Sequence, residues 1–149
     1  MSTAAAQEPD VRAFVYGTCR TRGLPPSIAQ TAEALDRSPA DIQSAFQRLA
    51  EAHVLVLQPG GEILMASPFS AVPTPFPVQV GPLACYGNCI WDALGIPAML
   101  HGDARISTSC ACCGAQLGID IVGGALQSRG GLIHFGIPAH RWWDNIVFT

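Results

Sequence analysis

The segment from Ser67 to Pro82 contains five prolines, and no other feature of the chain restricts its fold as strongly. A proline has no backbone N–H to donate and fixes φ near −65°, so it interrupts helices and the hydrogen-bond ladders of interior strands. The segment is therefore predicted to be extended, and an interior strand is excluded. We interpret the range 71–82 as a linker or edge strand between two parts of the chain.

The part before this linker is predicted to hold three helices and a hairpin. Helices are expected over 11–22, after Ser27 and after Ser38, because apolar residues recur at helical spacing and both serines suit helix N-termini. Two apolar runs then flank Pro59-Gly60-Gly61, which predicts a β-hairpin. This order is typical of a winged helix-turn-helix, so 11–70 is interpreted as a winged-helix-like lobe.

The N-terminal range 1–10 is polar and Ala-rich, and it lacks the basic and apolar regions of a secretory signal. We expect it to be a disordered tail. The longest apolar stretches fall well short of the ~20 residues needed to span a bilayer. A cytoplasmic protein with no membrane segment is the resulting prediction.

Charge argues against a nucleic-acid-binding surface. The net charge is −3, and Arg48 is the only permanent cation in the predicted third helix, against Asp41 and Glu51. Nucleic-acid binding depends on cations placed against phosphates. Nucleic acid is therefore not expected as a partner, and the lobe is expected to serve as a scaffold or docking element.

The range 83–149 is predicted to be a small mixed α/β core, which makes the whole chain α+β. A helix over 88–94 should end or kink at Pro97. The other expected elements are strands at 104–107, 117–122 and 132–137, a loop at 123–131, a short helix or turn at 139–144 and a strand starting at 146.

Five of the six cysteines lie between Cys85 and Cys113, and soft thiolates are the groups that bind soft metal ions. Cys89 and Asp92 are three residues apart and would share one helix face. At a helix N-terminus the Cys89 thiolate would be favoured, and Asp92 could accept or deliver a proton. The alternative is that Cys89 is a buried apolar residue and Asp92 a solvated acid.

Cys110 and Cys113 form a Cys-x-x-Cys pair that is common in half of a zinc site, and Cys85 with Cys89 could complete it. The spacing differs from that of paired zinc knuckles, so a reactive or reversible soft-metal site is preferred and zinc is kept as an alternative. The candidate metal ligands are Cys85, Cys89, Cys110, Cys112 and Cys113.

Other candidate residues are weaker. His134 falls in a predicted apolar strand and is interpreted as a core histidine, whereas His101 and His140 fall in predicted loops. Trp142 and Trp143 are expected to close an apolar wall that could hold an organic group.

These residues together resemble the organomercurial (alkylmercury) lyase family. The matching runs are Cys89-Ile-Trp-Asp92-Ala-Leu-Gly-Ile-Pro97-Ala-Met-Leu and Ala104-Arg105-Ile-Ser-Thr-Ser-Cys110, followed by Gly114. The resemblance begins near residue 11 and is strongest over 85–122. It implies a winged-helix-like lobe on a mixed α/β core, with Cys89 as the first catalytic cysteine, Asp92 as the catalytic aspartate and Cys110 as a structural cysteine.

The resemblance also implies a reaction. A Cys89 thiolate would attack the mercury of an organomercurial, a second thiolate would raise the electron density on the metal, and Asp92 would carry a proton to the leaving carbon. Hydrocarbon and bound mercury(II) would result, no cofactor would be required, and low-molecular-weight thiols would remove the product.

The sequence departs from the family at its end. The family's second catalytic cysteine would follow Phe148, so the core is expected to be incomplete at the C-terminus, and Cys85, Cys112 or Cys113 is a candidate replacement. The predicted function is organomercurial lyase-like. The alternative is a non-catalytic protein that binds or senses mercury, zinc or copper through the five clustered cysteines.

Overall fold

The computed structural model describes residues 8–127 and 130–148, which form an α+β fold. The helices are α1 (Glu8–Arg22), α2 (Ile28–Leu35), α3 (Pro39–Glu51) and α4 (Ile90–Leu100), with a 3₁₀ helix at Ala139–Asp144. The strands are β1 (Val56–Leu57), β2 (Ile63–Ala66), β3 (Phe69–Ser70), β4 (Pro77–Val80), β5 (Leu83–Tyr86), β6 (Ala104–Ser109), β7 (Gln116–Val122) and β8 (Ala125–Leu126).

Both predicted serine caps are confirmed. The Ser27 side chain accepts the backbone N–H of Gln30 at 3.1 Å, and the Gln30 side chain accepts the Ser27 N–H at 2.9 Å, which makes a complete capping box. Ser38 accepts the backbone N–H of Asp41 at 3.1 Å, with Pro39 in the first turn of α3. Local sequence therefore determines where α2 and α3 begin.

The first helix begins at Glu8, inside the range 1–10 that was predicted as a tail. That prediction is wrong for residues 8–10, and residues 1–7 lie outside the described part of the chain. Pro9 is tolerated in the first turn, and the acidic Glu8 and Asp10 interact favourably with the helix dipole. Glu8 also forms an ion pair with Arg48 of α3, which joins the two helices.

The predicted hairpin is confirmed, because β1 and β2 pair antiparallel across the glycine turn. A third strand, β3, adds to it and makes a small sheet in the order β1-β2-β3. Sequence reasoning missed β3, which lies inside the proline-rich segment.

The larger sheet is antiparallel in the order β5-β4-β6-β7-β8, and it corrects the linker prediction. Strand β4 lies in the range interpreted as a linker or edge strand, yet it pairs with β5 on one side and β6 on the other. Pro77 is the first residue of β4, a position that proline tolerates. Val78, Gln79 and Val80 keep their N–H groups, so the interior ladder can form.

The sequence predicted that this helix ends or kinks at Pro97. Helix α4 continues through Pro97 to Leu100, so the predicted end is wrong. Pro97 is buried together with Ala93 and Ile96 on the inner face of the helix. Burial of this apolar face offsets the hydrogen bond that the proline cannot make. The helix ends at His101, whose φ of 52° is left-handed.

The last part of the chain has less regular structure than predicted. Residues 132–137 form no strand, and His134 is exposed rather than in the core. Residues 146–148 form a turn instead of a strand start, and Thr149 lies outside the described residues. The predicted loop 123–131 contains the short strand β8, and its residues 128–129 are not described. Apolar alternation alone cannot establish whether a partner strand exists.

One continuous apolar core connects the helices with both sheets. Its largest fully buried side chains are Phe46, Phe69, Ile42, Leu55, Ile96 and Ile106. No helix within residues 8–127 and 130–148 is long and apolar enough to cross a bilayer. The core fixes α4 against β4 and β6, and α4 carries the candidate site.

Candidate functional site

The N-terminus of α4 holds the two residues that the sequence singled out. Cys89 is the residue that precedes the helix, with extended backbone, and its carbonyl accepts the N–H of Ala93 at 2.9 Å. Asp92 lies in the first turn. Gly87 permits this approach, since a Cβ there would come within 2.5 Å of the Ala93 nitrogen. The end of β5 and the start of α4 are therefore in direct contact.

Cys89 and Asp92 face a common cavity of about 260 Å³. Its lining residues are Met65, Ser67, Asn88, Cys89, Trp91, Asp92, Phe135, Trp142, Trp143, Ile146 and Val147. These come from β2, from the start of α4 and from the C-terminal segment, so residues distant in sequence meet here. The structure thus brings the predicted catalytic pair into one cavity.

Aromatic side chains form one side of this cavity. Phe135 packs against Trp142 with ring centroids 5.0 Å apart, and against Trp91 edge-on at 6.5 Å. The indole N–H of Trp142 donates to the Ile137 carbonyl at 2.8 Å, which fixes the ring. Trp143 stacks on His53 at 4.2 Å. The predicted apolar wall is confirmed, with Trp91 and Phe135 as members that the sequence did not reveal.

The carboxyl group of Asp92 has a raised pKa. Burial is the largest cause, because a low-dielectric environment disfavours the charged form. A hydrogen bond from the Asn88 side chain, 2.8 Å from Nδ2 to Oδ2, opposes this and lowers the pKa. Burial prevails, so the group binds a proton more readily than an ordinary aspartate.

Burial also raises the pKa of the Cys89 thiol, and the negative charge of Asp92 acts in the same direction. Backbone N–H groups of Asp92 and Trp91 lower it, as expected at a helix N-terminus. The predicted stabilisation of the Cys89 thiolate by the helix N-terminus is therefore present, but burial raises the pKa by more than the backbone N–H groups lower it. The free thiol is the favoured resting form, and it becomes a thiolate when a proton acceptor or a metal is present.

Asn88 is a site residue that the sequence reasoning missed. Its Nδ2 also lies 3.4 Å from the Phe69 carbonyl, and its Oδ1 is buried with no hydrogen-bond partner among the described residues. A buried acceptor without a partner is costly, and a catalytic role is one of the explanations for it. The available signal was the spacing of four residues between Asn88 and Asp92 in the helix predicted over 88–94. In the structure Asn88 lies two residues before α4.

The five cysteines proposed as metal ligands do not come together. Cys85 lies buried on β5, where its sulfur is 3.7 Å from the Val78 carbonyl, and burial raises its pKa to about 11. Cys110 follows β6, which is two strands from β5 in the sheet, or about 10 Å away at the usual strand spacing. Zinc–sulfur bonds of about 2.3 Å cannot span this separation.

Cys110, Cys112 and Cys113 form the turn between β6 and β7, as predicted, and do not line the cavity. The pKa of Cys110 is lowered, first by the backbone N–H of Cys113 and then by that of Cys112. In residues 8–127 and 130–148, no three His, Cys, Asp or Glu side chains are grouped so as to hold a metal ion. Zinc therefore has no support in this part of the chain.

The weaker histidine candidates also lie apart from the cavity. His101, His134 and His140 are all exposed, and none belongs to its lining. A second, larger cleft of about 830 Å³ adjoins the cavity at Ser67 and is lined mainly by α1, with Met99 of α4. Cys89 and Asp92 line the smaller, aromatic cavity and are not among the residues that line the larger cleft.

The model of the MerB alkylmercury lyase family matches residues 69–149, which is more than half of the chain. The chain belongs to the alkylmercury lyase family, and the resemblance noted in the sequence is confirmed.

A solved structure, the mercury-bound form of MerB2, has a similar fold, with a TM-score of 0.65 and 19% sequence identity. The similarity covers 82% of this chain and 59% of that chain, so this chain spans about three fifths of the length of its structural relative. At this identity the likeness establishes the fold. No curated protein matches the chain.

Proposed function

We propose that this protein is an organomercurial lyase, which cleaves a carbon–mercury bond by thiolate attack and protonolysis. The observation that carries the proposal is the placement of Cys89 and Asp92 at the start of α4, facing one aromatic cavity, in a member of the alkylmercury lyase family. A soft nucleophile and a proton carrier are the two groups that this reaction requires.

The first step transfers a proton within the site. As mercury approaches, the Cys89 thiol gives its proton to the Asp92 carboxylate, and the resulting thiolate displaces the leaving ligand of R–Hg–X. The products are R–Hg–S–Cys89, free X⁻ and protonated Asp92. The raised pKa of Asp92 favours this step because burial makes its carboxylate the better proton acceptor.

The second step breaks the carbon–mercury bond. The electron pair of that bond takes the proton of Asp92, so R–H leaves and mercury(II) stays on the Cys89 sulfur. The Asp92 carboxylate is regenerated beside the positively charged metal. No oxidation or reduction occurs, no cofactor is needed, and the same proton serves both steps.

The aromatic side chains are proposed to hold the organic group. Trp142, Phe135 and Trp91 offer apolar ring surface, and the cavity of about 260 Å³ suits a small alkyl or aryl substituent. Low-molecular-weight thiols are proposed to remove mercury(II). Six free cysteines suit the reducing cytoplasm, which supplies such thiols.

The N-terminal lobe is proposed to be a winged-helix-like scaffold for this cavity. It contributes Met65 and Ser67 to the lining. Arg48 of α3 is engaged by Glu8, which supports a scaffold role rather than phosphate binding.

A second candidate function is non-catalytic binding or sensing of a soft metal. The exposed thiols of Cys112 and Cys113, next to Cys110 with its lowered pKa, favour this alternative. Such a protein would bind mercury through the β6–β7 turn and would release no hydrocarbon.

The test is to incubate the reduced protein with an alkylmercury and excess small thiol and to measure hydrocarbon and inorganic mercury. The wild type is expected to turn over repeatedly, Cys89→Ser should lose the reaction, and Cys112→Ser should match the wild type. Loss of mercury binding in Cys112→Ser, with no hydrocarbon from any variant, would favour the binder and refute the lyase.

A further inference from the structure

We propose that Met65 is the second sulfur ligand of mercury in this site, so that the metal is held between the Cys89 thiolate and the Met65 thioether. The proposal rests on the proposed function, because it concerns the mercury that the lyase reaction places on Cys89. It assigns a role to a residue of the N-terminal lobe that the sequence pattern did not single out.

The composition of the cavity lining carries the inference. Among the described residues of the lining, only Cys89 and Met65 contain sulfur, and the polar side chains besides the indoles are those of Ser67, Asn88 and Asp92. Mercury(II) is a soft ion that prefers sulfur donors to the oxygen of hydroxyl or amide groups. Cys85, in the core, and the cysteines of the β6–β7 turn are not part of this lining.

Met65 is held firmly enough to act as a ligand. It is half-buried on β2, where its backbone pairs with Val56 on one side and Ser70 on the other. The neighbouring Ala66 is fully buried in the core. A central strand of the small sheet therefore presents the flexible thioether to the cavity, and the three single bonds of the side chain allow the sulfur to adjust to a metal.

A thioether ligand has a definite chemical consequence. It is neutral and does not take up a proton at ordinary pH, so it would not compete with Asp92 for the proton that the leaving carbon requires. It also binds mercury(II) less strongly than a thiolate does. A thiolate–thioether pair would thus hold the metal after cleavage and yet release it to an incoming small thiol.

The test compares Met65→Leu with Met99→Leu, a matched control that makes the same change outside this cavity, on α4. Every protein compared also carries Cys110→Ser, Cys112→Ser and Cys113→Ser, so that the exposed turn thiols take up no metal. The full chain is titrated with mercury(II) chloride against a competing small thiol, and mercury-edge X-ray absorption in the absence of that thiol counts the sulfur neighbours. Wild type and Met99→Leu should show two sulfur ligands. Met65→Leu should show one and should bind mercury at least about tenfold more weakly.

A second measurement avoids dependence on one variant. Protein labelled with selenomethionine should show mercury–selenium scattering, which should persist in Met99→Leu and disappear in Met65→Leu. If Met65→Leu fails to fold, absence of this scattering in the labelled wild type overturns the proposal.

The two proposals can fail separately. Unchanged affinity and two sulfur ligands in Met65→Leu would refute the role of Met65, whereas hydrocarbon release that depends on Cys89 would still support the lyase. Conversely, a protein that binds mercury through Met65 but releases no hydrocarbon would refute the lyase and keep the ligand assignment.

Discussion

The side chain of Asn88, two residues before α4, donates a hydrogen bond from Nδ2 to Oδ2 of Asp92 over 2.8 Å. This bond lowers the pKa of Asp92, whereas burial raises it and is the larger effect. Asn88 therefore limits how far the carboxyl departs from ordinary aspartate behaviour. In the proposed reaction, that proton affinity decides how easily the proton moves from Cys89 to Asp92 and then to carbon.

The pH dependence of turnover should be bell-shaped, because the Cys89–Asp92 pair needs one proton between its two groups. The acid limb follows Asp92 and should lie above the range of an ordinary carboxyl. The alkaline limb follows Cys89 and should lie above that of an ordinary thiol, since both pKa values are raised. The profile of kcat/KM against pH measures both limbs.

Replacing Asn88 by Leu should move only the acid limb, to higher pH, because the bond that lowers the pKa of Asp92 is lost. The control is Gln79→Leu, which removes an exposed amide that donates to Gly81 and should leave the profile unchanged. An acid limb that moves to lower pH in Asn88→Leu would contradict the assignment of Asp92.

Asp92→Asn should separate binding from cleavage. Hydrocarbon release should fall by about 10²–10⁴-fold, the usual contribution of a general acid or base, while mercury still binds to Cys89. Asp120→Asn, which alters an exposed ion pair with Arg105, should retain full activity. Equal losses of binding and cleavage in Asp92→Asn would be inconsistent with a proton carrier.

The same substitution has an effect on stability. The folded pKa of Asp92 is raised, so between the unfolded and folded pKa values the native state binds more protons, and wild-type stability falls as pH rises through that window. Asp92→Asn should therefore have a higher Tm than wild type at pH 7, and the difference should shrink at a pH below the unfolded carboxyl pKa. Thermal unfolding followed at the two pH values tests this sign.

Gly87→Ala should disturb the site through the backbone. A Cβ at Gly87 would lie 2.5 Å from the Ala93 nitrogen and 2.8 Å from its Cα, so the start of α4 must shift. We expect a loss of about 1–3 kcal/mol in the free energy of unfolding, together with reduced turnover.

The matched control is Gly95→Ala on the same helix, where the new Cβ would meet Pro68 at an ordinary 3.7 Å. It should be neutral or stabilising by up to about 1 kcal/mol, because alanine favours helix more than glycine does. Similar destabilisation by both substitutions would show that the contact between Gly87 and Ala93 has no special role.

The thiols should differ in their rates of alkylation in the native protein. The turn cysteines Cys112 and Cys113 are exposed, and Cys110 has a lowered pKa, so these should react first. Cys85 and Cys19 should react last, because burial raises their pKa values to about 11 and about 12. Peptide mass mapping after brief alkylation gives the order, and early labelling of Cys85 would contradict the packing.

Local sequence rules predicted the features that depend on a few neighbouring residues. The caps at Ser27 and Ser38 and the turn that contains Cys110 are of this kind. The spacing of Cys89 and Asp92 predicted that they lie on one side of a helix, and in the structure both lie at the start of α4 and line the cavity.

The failures concern features that tertiary packing decides. Proline content suggested a linker where β4 lies, because sequence alone did not reveal that Pro77 starts a strand with partners on both sides. The cysteines are close in sequence, but the sheet places Cys85 on β5 and Cys110 after β6, two strands away. Met65 reaches the cavity only through the fold of β2, so no local pattern pointed to it.

The most direct test of the central claim is a single-turnover reaction of the reduced protein with methylmercury in D₂O, followed by mass spectrometry of the gas phase. We expect one equivalent of singly deuterated methane per wild-type protein, none from Cys89→Ser, and a much slower release from Asp92→Asn. Stable binding of intact methylmercury to the wild-type protein, with no methane formed, would contradict it.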